Sequence, residues 1–187
     1  HARHVAAVAQ HPRMATTYGV KGDSPFNSLA CFHSIWGCPS DLAHDLFEGF
    51  AGTVLEVIIR YFVNKHFFTL QQLNLKIRTF SYAPCDRPNK PSSFADELAN
   101  FKMKQNASQC WCFLRLLPLF VYEWVPNDDA CLYLLVDMLD IVDLICAPVI
   151  SPGEVHFLND LISHFMEGYF STFEEAMVTP KAHFLTH

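Results

Sequence analysis

Four polar side chains crowd into eight positions of the stretch "GCPSDLAHDLFEGF": Asp41, His44, Asp45 and Glu48. Carboxylates held on one element are suited to a hard divalent cation such as Mg²⁺, and an imidazole beside them orients a neighbour or moves a proton. At helical rotation all four fall on one face, opposite Leu42, Leu46 and Phe50. A capped amphipathic helix with a solvated acidic side explains the same pattern. Mg²⁺ centres for phosphoryl transfer draw acids from several separated elements, which a single helix does not supply. Pattern alone leaves both readings open.

The other candidates are weaker. Cys31, His33, Cys38 and His44 read C-x-H-x4-C-x5-H, a spacing that matches no common structural zinc site. Cys110 and Cys112 flank Trp111, and on a helix their sulfurs point about 200° apart, against joint ligation. Asp137, Asp140 and Asp143 form a strip suited to solvent. Lys181, His183 and His187 in "TPKAHFLTH" are able to meet phosphate, although an ordinary tail accounts for them. The chain contains no nucleotide-cradling glycine loop, no nucleophile elbow, and no zinc-hydrolase or Cys/His protease signature.

The elements that must carry these residues read as helices. From Pro39, with Ser40 or Asp41 as cap, apolar residues Leu42, Leu46, Phe50, Val54, Val57, Ile58 and Tyr61 recur at helical spacing to about residue 64. Gly49 and Gly52 interrupt this run and mark either a close neighbour or a break. "TLQQ" is a capping box whose helix buries Leu70, Leu73, Ile77 and Phe80. "SYAPCDRPNKPSS" reads as a surface linker. Helical pattern resumes over about 96–124, where Pro118 forces a kink or break, and again over about 128–146. "SPGE" caps a last helix with Val155, Leu158, Ile162, Phe165, Met166 and Tyr169 on its apolar stripe.

The expected organisation is an irregular N-terminal tether (1–36), a helical segment carrying D-x-x-H-x-x-x-E (37–80), a Pro-rich linker (81–95) and an acidic helical bundle (96–187). The fold class is mainly α with little or no sheet. Residues 1–94 hold nine Lys/Arg against six Asp/Glu, and residues 95–187 four against thirteen, so a polyanion should meet the first half. Seven cysteines without a regular framework suit free thiols in a reducing, intracellular setting. No apolar run is long and uncharged enough to span a bilayer, so no membrane partner is expected. The start at His1 and the end inside a patterned segment suggest a piece of a longer chain.

Several stretches in order, from about residue 16 to the end, carry a resemblance: "YGVKGDSPFNSL", "FH", "DLAHDLFEG", "FTLQQLNLKIRTFSY", "NKP", "CFLRLLPLF", "DIVDLICAPVIS" and "PKAHFLTH". Together they resemble cut-and-paste DNA transposases of animal transposons with an RNase-H-like catalytic domain, the CACTA-like group and its relatives. The resemblance implies the helical C-terminal or inserted part of such an enzyme. In that group three acids hold two Mg²⁺ or Mn²⁺ ions that activate water, then a DNA 3′ hydroxyl. It also implies a Cys-or-Asp, two residues, then His signature before the final acid, which Asp41-Leu42-Ala43-His44 matches. Glu48 then stands as candidate final acid and metal ligand, with Asp41 and His44 supporting it. Lys21, Arg87, Lys90, Lys181 and His183 are the candidate DNA contacts. Two upstream aspartates are missing from this chain, and Asp23 in its loop is a poor substitute, so the isolated chain is expected to bind no metal and to lack activity. The implied partners are transposon-end DNA, the rest of the transposase chain and further copies of it, in the nucleus. A domesticated, non-enzymatic interaction module and a decayed element product are the alternatives.

Overall fold

The computed structural model describes residues 2–18, 21–32, 37 and 41–173, and is entirely helical and irregular, with no strand among the described residues. The mainly α expectation therefore holds. Two compact units divide the chain, one within residues 1–40 and one from Asp41 onward.

The first unit is more ordered than a tether. Ala2–Gln10 forms α1 and Met14–Tyr18 forms α2, with His4 stacked on Tyr18 at 4.5 Å between ring centroids. "ARHVAAVAQ" is rich in alanine, which has the highest intrinsic helix propensity, and it gathers its apolar residues on one side, where Val8 is buried. A 3₁₀ turn over Pro25–Ser28 is capped by the Ser24 hydroxyl, which accepts from the Phe26 N–H.

The second unit opens with a composite helix. Leu42–Ala51 is π-helical and runs directly into α3, Gly52–Asn64. Gly52 stands at the junction. A Cβ there would lie 3.3 Å from the Phe47 carbonyl oxygen, five residues back, and the Gly52 N–H donates to the Gly49 carbonyl. Leu46, Phe50, Val54 and Ile58 are buried as their spacing predicts. Leu42 is not: it is 45% exposed, on the first turn beyond the edge of the core. The α3 helix ends in a Schellman-type cap, in which Phe67 N–H reaches the Phe62 carbonyl and His66 N–H that of Val63. His66 occupies the left-handed position at φ 59°.

Helix α4, Leu70–Thr79, begins at the Thr69/Gln72 capping box and buries Leu70, Leu73 and Ile77. Helix α5, Ala107–Val121, is shorter than the run expected over 96–124. Its start is set by a capping box from Asn106 and Gln109, and residues 101–106 lie in extended, irregular chain. Pro118 does not break it; the helix continues to Val121, and the Pro118 carbonyl accepts from Tyr122 N–H. Helix α6, Ala130–Ile145, starts at Asp129, and α7, Pro152–Thr172, at the Ser151/Glu154 capping box. Along α7 Ile162, Phe165 and Tyr169 are buried, whereas Val155 (43%) is exposed, as are all residues of the first turn. Packing of α5 on the π-helical segment, α4 and α6, and of α6 on α7, closes one core. An aromatic row through it, Phe101–Phe94–Phe113–Phe120–Phe80, has centroid steps of 5.1, 5.2, 6.2 and 5.1 Å and takes up five of the 17 phenylalanines.

Residues 81–95 do not hang as a free linker. Tyr82, Pro91 and Phe94 are buried, and side-chain amides fasten the segment. Asn74 donates to the Phe94 carbonyl (2.9 Å) and accepts from its N–H (2.8 Å), while Gln105 does the same for Ser92 (3.0 and 2.8 Å). Extended backbone without a sheet has unmet polar groups, and these two amides meet them.

Candidate functional site

Asp41 is the first residue of the second unit, and its extended backbone (φ −89°, ψ 106°) makes it the helix N-cap. One carboxylate oxygen accepts from the N–H groups of Ala43 (2.8 Å) and His44 (3.3 Å). The other lies 2.6 Å from His44 Nδ1. These bonds, the His44 side-chain bond foremost, hold the Asp41 carboxyl below its usual range. Both side chains remain open to solvent, at 56% and 68% exposure. Asp45 closes the turn from the other direction, its carboxylate accepting from Asp41 N–H at 3.1 Å.

Glu48 points elsewhere. Its Oε1 accepts from the backbone N–H of Ala107 at 3.1 Å, the first residue of α5. A carboxylate at a helix N-terminus satisfies an orphan donor and complements the macrodipole. The π-helical turn separates what α-helical spacing would gather. Asp41 and Asp45 serve the cap, and Glu48 serves a helix 59 positions downstream in sequence.

Among the described residues the donor set does not complete a divalent-metal site. Asp41 and Asp45 spend oxygens on backbone donors, and Glu48 alone cannot organise two cations. No group of three or more His, Cys, Asp or Glu among the described residues is placed to hold a metal. His33 and Cys38 of the C-x-H-x4-C-x5-H pattern lie outside the described residues, and Cys31 is exposed.

Beside the Glu48–Ala107 bond lies a shallow apolar pit of about 170 Å³ lined by Ala43, Phe47, Ala107, Ser108 and Trp111. Trp111 is 41% exposed, with Phe47 at 5.9 Å on one side and the Arg115 guanidinium 5.3 Å from its ring centre. Its flanking cysteines, Cys110 and Cys112, are both buried, and burial pushes the Cys110 thiol up to about 12. An inert thiol follows from that environment. Of the acidic strip on α6, Asp140 and Asp143 are exposed, whereas Asp137 is half-buried and burial raises its pKa, against the opposing pull of His164 on α7.

Among the expected DNA contacts, Lys21 is exposed in the first unit, and Lys181 and His183 lie outside the described residues. Arg87 and Lys90 come together, and Arg78 from the last turn of α4 joins them. Arg78 was hidden from sequence reasoning because it belongs to a different element, nine residues away from Arg87 across a run of turns. No helix among the described residues is long and apolar enough to cross a membrane.

No protein-family model, curated protein or solved structure matches the chain.

Proposed function

We propose that the chain is the helical part of a transposon-derived transposase, in whose intact form Glu48 completes a divalent-metal centre acting on DNA phosphodiesters. The observation that carries this reading is the Asp41–His44 contact at 2.6 Å, with Glu48 exposed one turn further on. In the D-x-x-H signature the first residue orients the imidazole, and here the carboxylate lies against Nδ1 and leaves Nε2 directed away from it. The remaining acids would come from strands outside the described residues, and the intact protein would act in the nucleus on transposon ends.

A second reading, a non-enzymatic helical interaction module, draws support from Glu48 itself. A carboxylate that caps α5 has a structural task that requires no metal.

The two part in an excision assay with the intact parent reading frame. Glu48→Gln should abolish excision, and the denaturation midpoint of the second unit should move only slightly. Unchanged excision would remove the transposase assignment of Glu48. The isolated chain should show no metal-dependent DNA cleavage; turnover that Glu48→Gln abolishes would overturn the need for further acids.

A further inference from the structure

Two contiguous cavities, of about 370 and 470 Å³, lie between the C-terminal turn of α4 and the Pro-rich segment. Both are lined by Arg78, Arg87 and Lys90, so they form one trough with three cations along it. No acidic side chain lines either cavity. Asp86, next to Arg87 in sequence, is already engaged by Arg115, and Glu123 by Lys76 at 2.6 Å. Neither Arg78 nor Lys90 makes a side-chain hydrogen bond or ion pair among the described residues, and Arg87 donates only to the Tyr82 carbonyl. In a chain of net charge −6, three exposed and unneutralised cations at one trough are a local reversal of sign. A cation in the last turn of α4 complements its dipole, which accounts for Arg78 but not for Arg87 or Lys90.

The trough walls are fixed. Pro88 and Pro91 stiffen one side, and Gln109 of α5 holds that side by donating to the Lys90 carbonyl (3.4 Å) and the Ser92 hydroxyl (3.2 Å). The floor aromatics are spoken for. The Tyr82 hydroxyl donates to the Ile77 carbonyl, and Phe80 packs edge-on against Tyr82 and Phe120. Both rings that line the trough are thus engaged by neighbours, Phe80 half-buried and Tyr82 buried. What the trough offers is a row of positive charge with donors suited to phosphate oxygens.

We propose that this trough binds the phosphodiester backbone of a nucleic acid, without reading its sequence, through Arg78, Arg87 and Lys90. It stands apart from Glu48 and rests on charge and shape, so it survives or falls independently of the transposase reading.

Fluorescence anisotropy with a labelled 20-mer, single-stranded and duplex, tests it on the full chain. Three phosphate contacts predict that raising salt from 50 to 200 mM weakens binding about 20- to 40-fold. The triple variant Arg78→Gln, Arg87→Gln, Lys90→Gln should lose at least about tenfold in affinity at 50 mM salt, with a nearly flat salt dependence. Lys104→Gln, which removes a charge outside the trough, should stay within about twofold of the parent. A thermal melt of each variant checks that the fold is kept, and single Arg87→Gln serves if the triple variant is unfolded. Three results would overturn the proposal: no binding at 50 mM salt, binding that the trough variants leave unchanged, or capture of a phosphoserine peptide or phosphatidylserine vesicles but not of the oligonucleotides.

Discussion

The carboxylate of Glu56, in the middle of α3, accepts the backbone N–H of Met103 at 3.0 Å across 47 positions of sequence. Its other oxygen takes Lys102 Nζ at 3.1 Å and Arg60 at 3.3–3.4 Å. Arg60 in turn donates to the carbonyls of Leu98 and Phe101 and lies 5.5 Å from the Phe101 ring centre. One glutamate and one arginine thus tie the irregular chain of 98–103 to α3.

Glu56→Ala should therefore cost about 1.5–3 kcal/mol, since the Met103 N–H and Arg60 lose a charged acceptor at a site only 19% exposed. The same group carries an acid sensitivity. Burial pushes its pKa up, but the Met103 N–H, Lys102 and Arg60 outweigh that and hold it below the ordinary 4.5. Its stabilisation is then full above that ordinary value and lost as pH falls through the lower folded value. Urea midpoints measured from pH 6 to 3 should fall less steeply for Glu56→Gln than for the parent.

His66 occupies the left-handed position that ends α3, where a side chain with a Cβ is disfavoured. His66→Gly should raise stability by about 0.5–1 kcal/mol, the relief of strain outweighing the added freedom of the unfolded chain. Chemical denaturation reads this directly, and an unchanged or lower midpoint would contradict it.

Gly52→Ala is expected to behave contrary to helix propensity. In an ordinary helix the exchange gains about 1 kcal/mol. Here the new methyl meets the Phe47 carbonyl at 3.3 Å, a backbone atom of the π-helical turn whose own side chain is buried. The midpoint should drop, and amide exchange over residues 47–52 should accelerate.

Phe165 is fully buried in α7, edge-on to Phe50 and stacked on Tyr169, each at 5.9 Å. Phe165→Ala should cost about 3–5 kcal/mol through lost burial and the cavity left behind. A denaturation midpoint within error of the parent would place the core elsewhere.

Local signals explain how much of this was legible in the sequence. Thr69/Gln72 and Ser151/Glu154 are short-range capping pairs, and both start helices where their spacing says. Leu46, Phe50, Val54 and Ile58 kept their phase for the same reason. What escaped were non-local partnerships. The π-helical register of 42–51 depends on close backbone approach at Gly52, and no period in "DLAHDLFEGF" announces it. The bond from Glu48 to Ala107 joins residues 59 apart, so an acid that reads as part of a cluster works as the cap of another helix. Residues 81–95 look like a linker because prolines and polar residues dominate there, and the amides that fasten them sit on α4 and just before α5.

Those amides have a consequence for how the protein meets other chains. Ser92 and Phe94 are two residues apart, so their N–H and C=O groups point along the same edge of an extended segment. Asn74 and Gln105 occupy that edge as a neighbouring strand would, donor against acceptor in both directions. The wrap consequently presents no open template there onto which a second polypeptide could add a strand. Replacing either amide by an acid would remove the donating half of its pair and reopen that edge, turning a sealed seam into a starting point for aggregation.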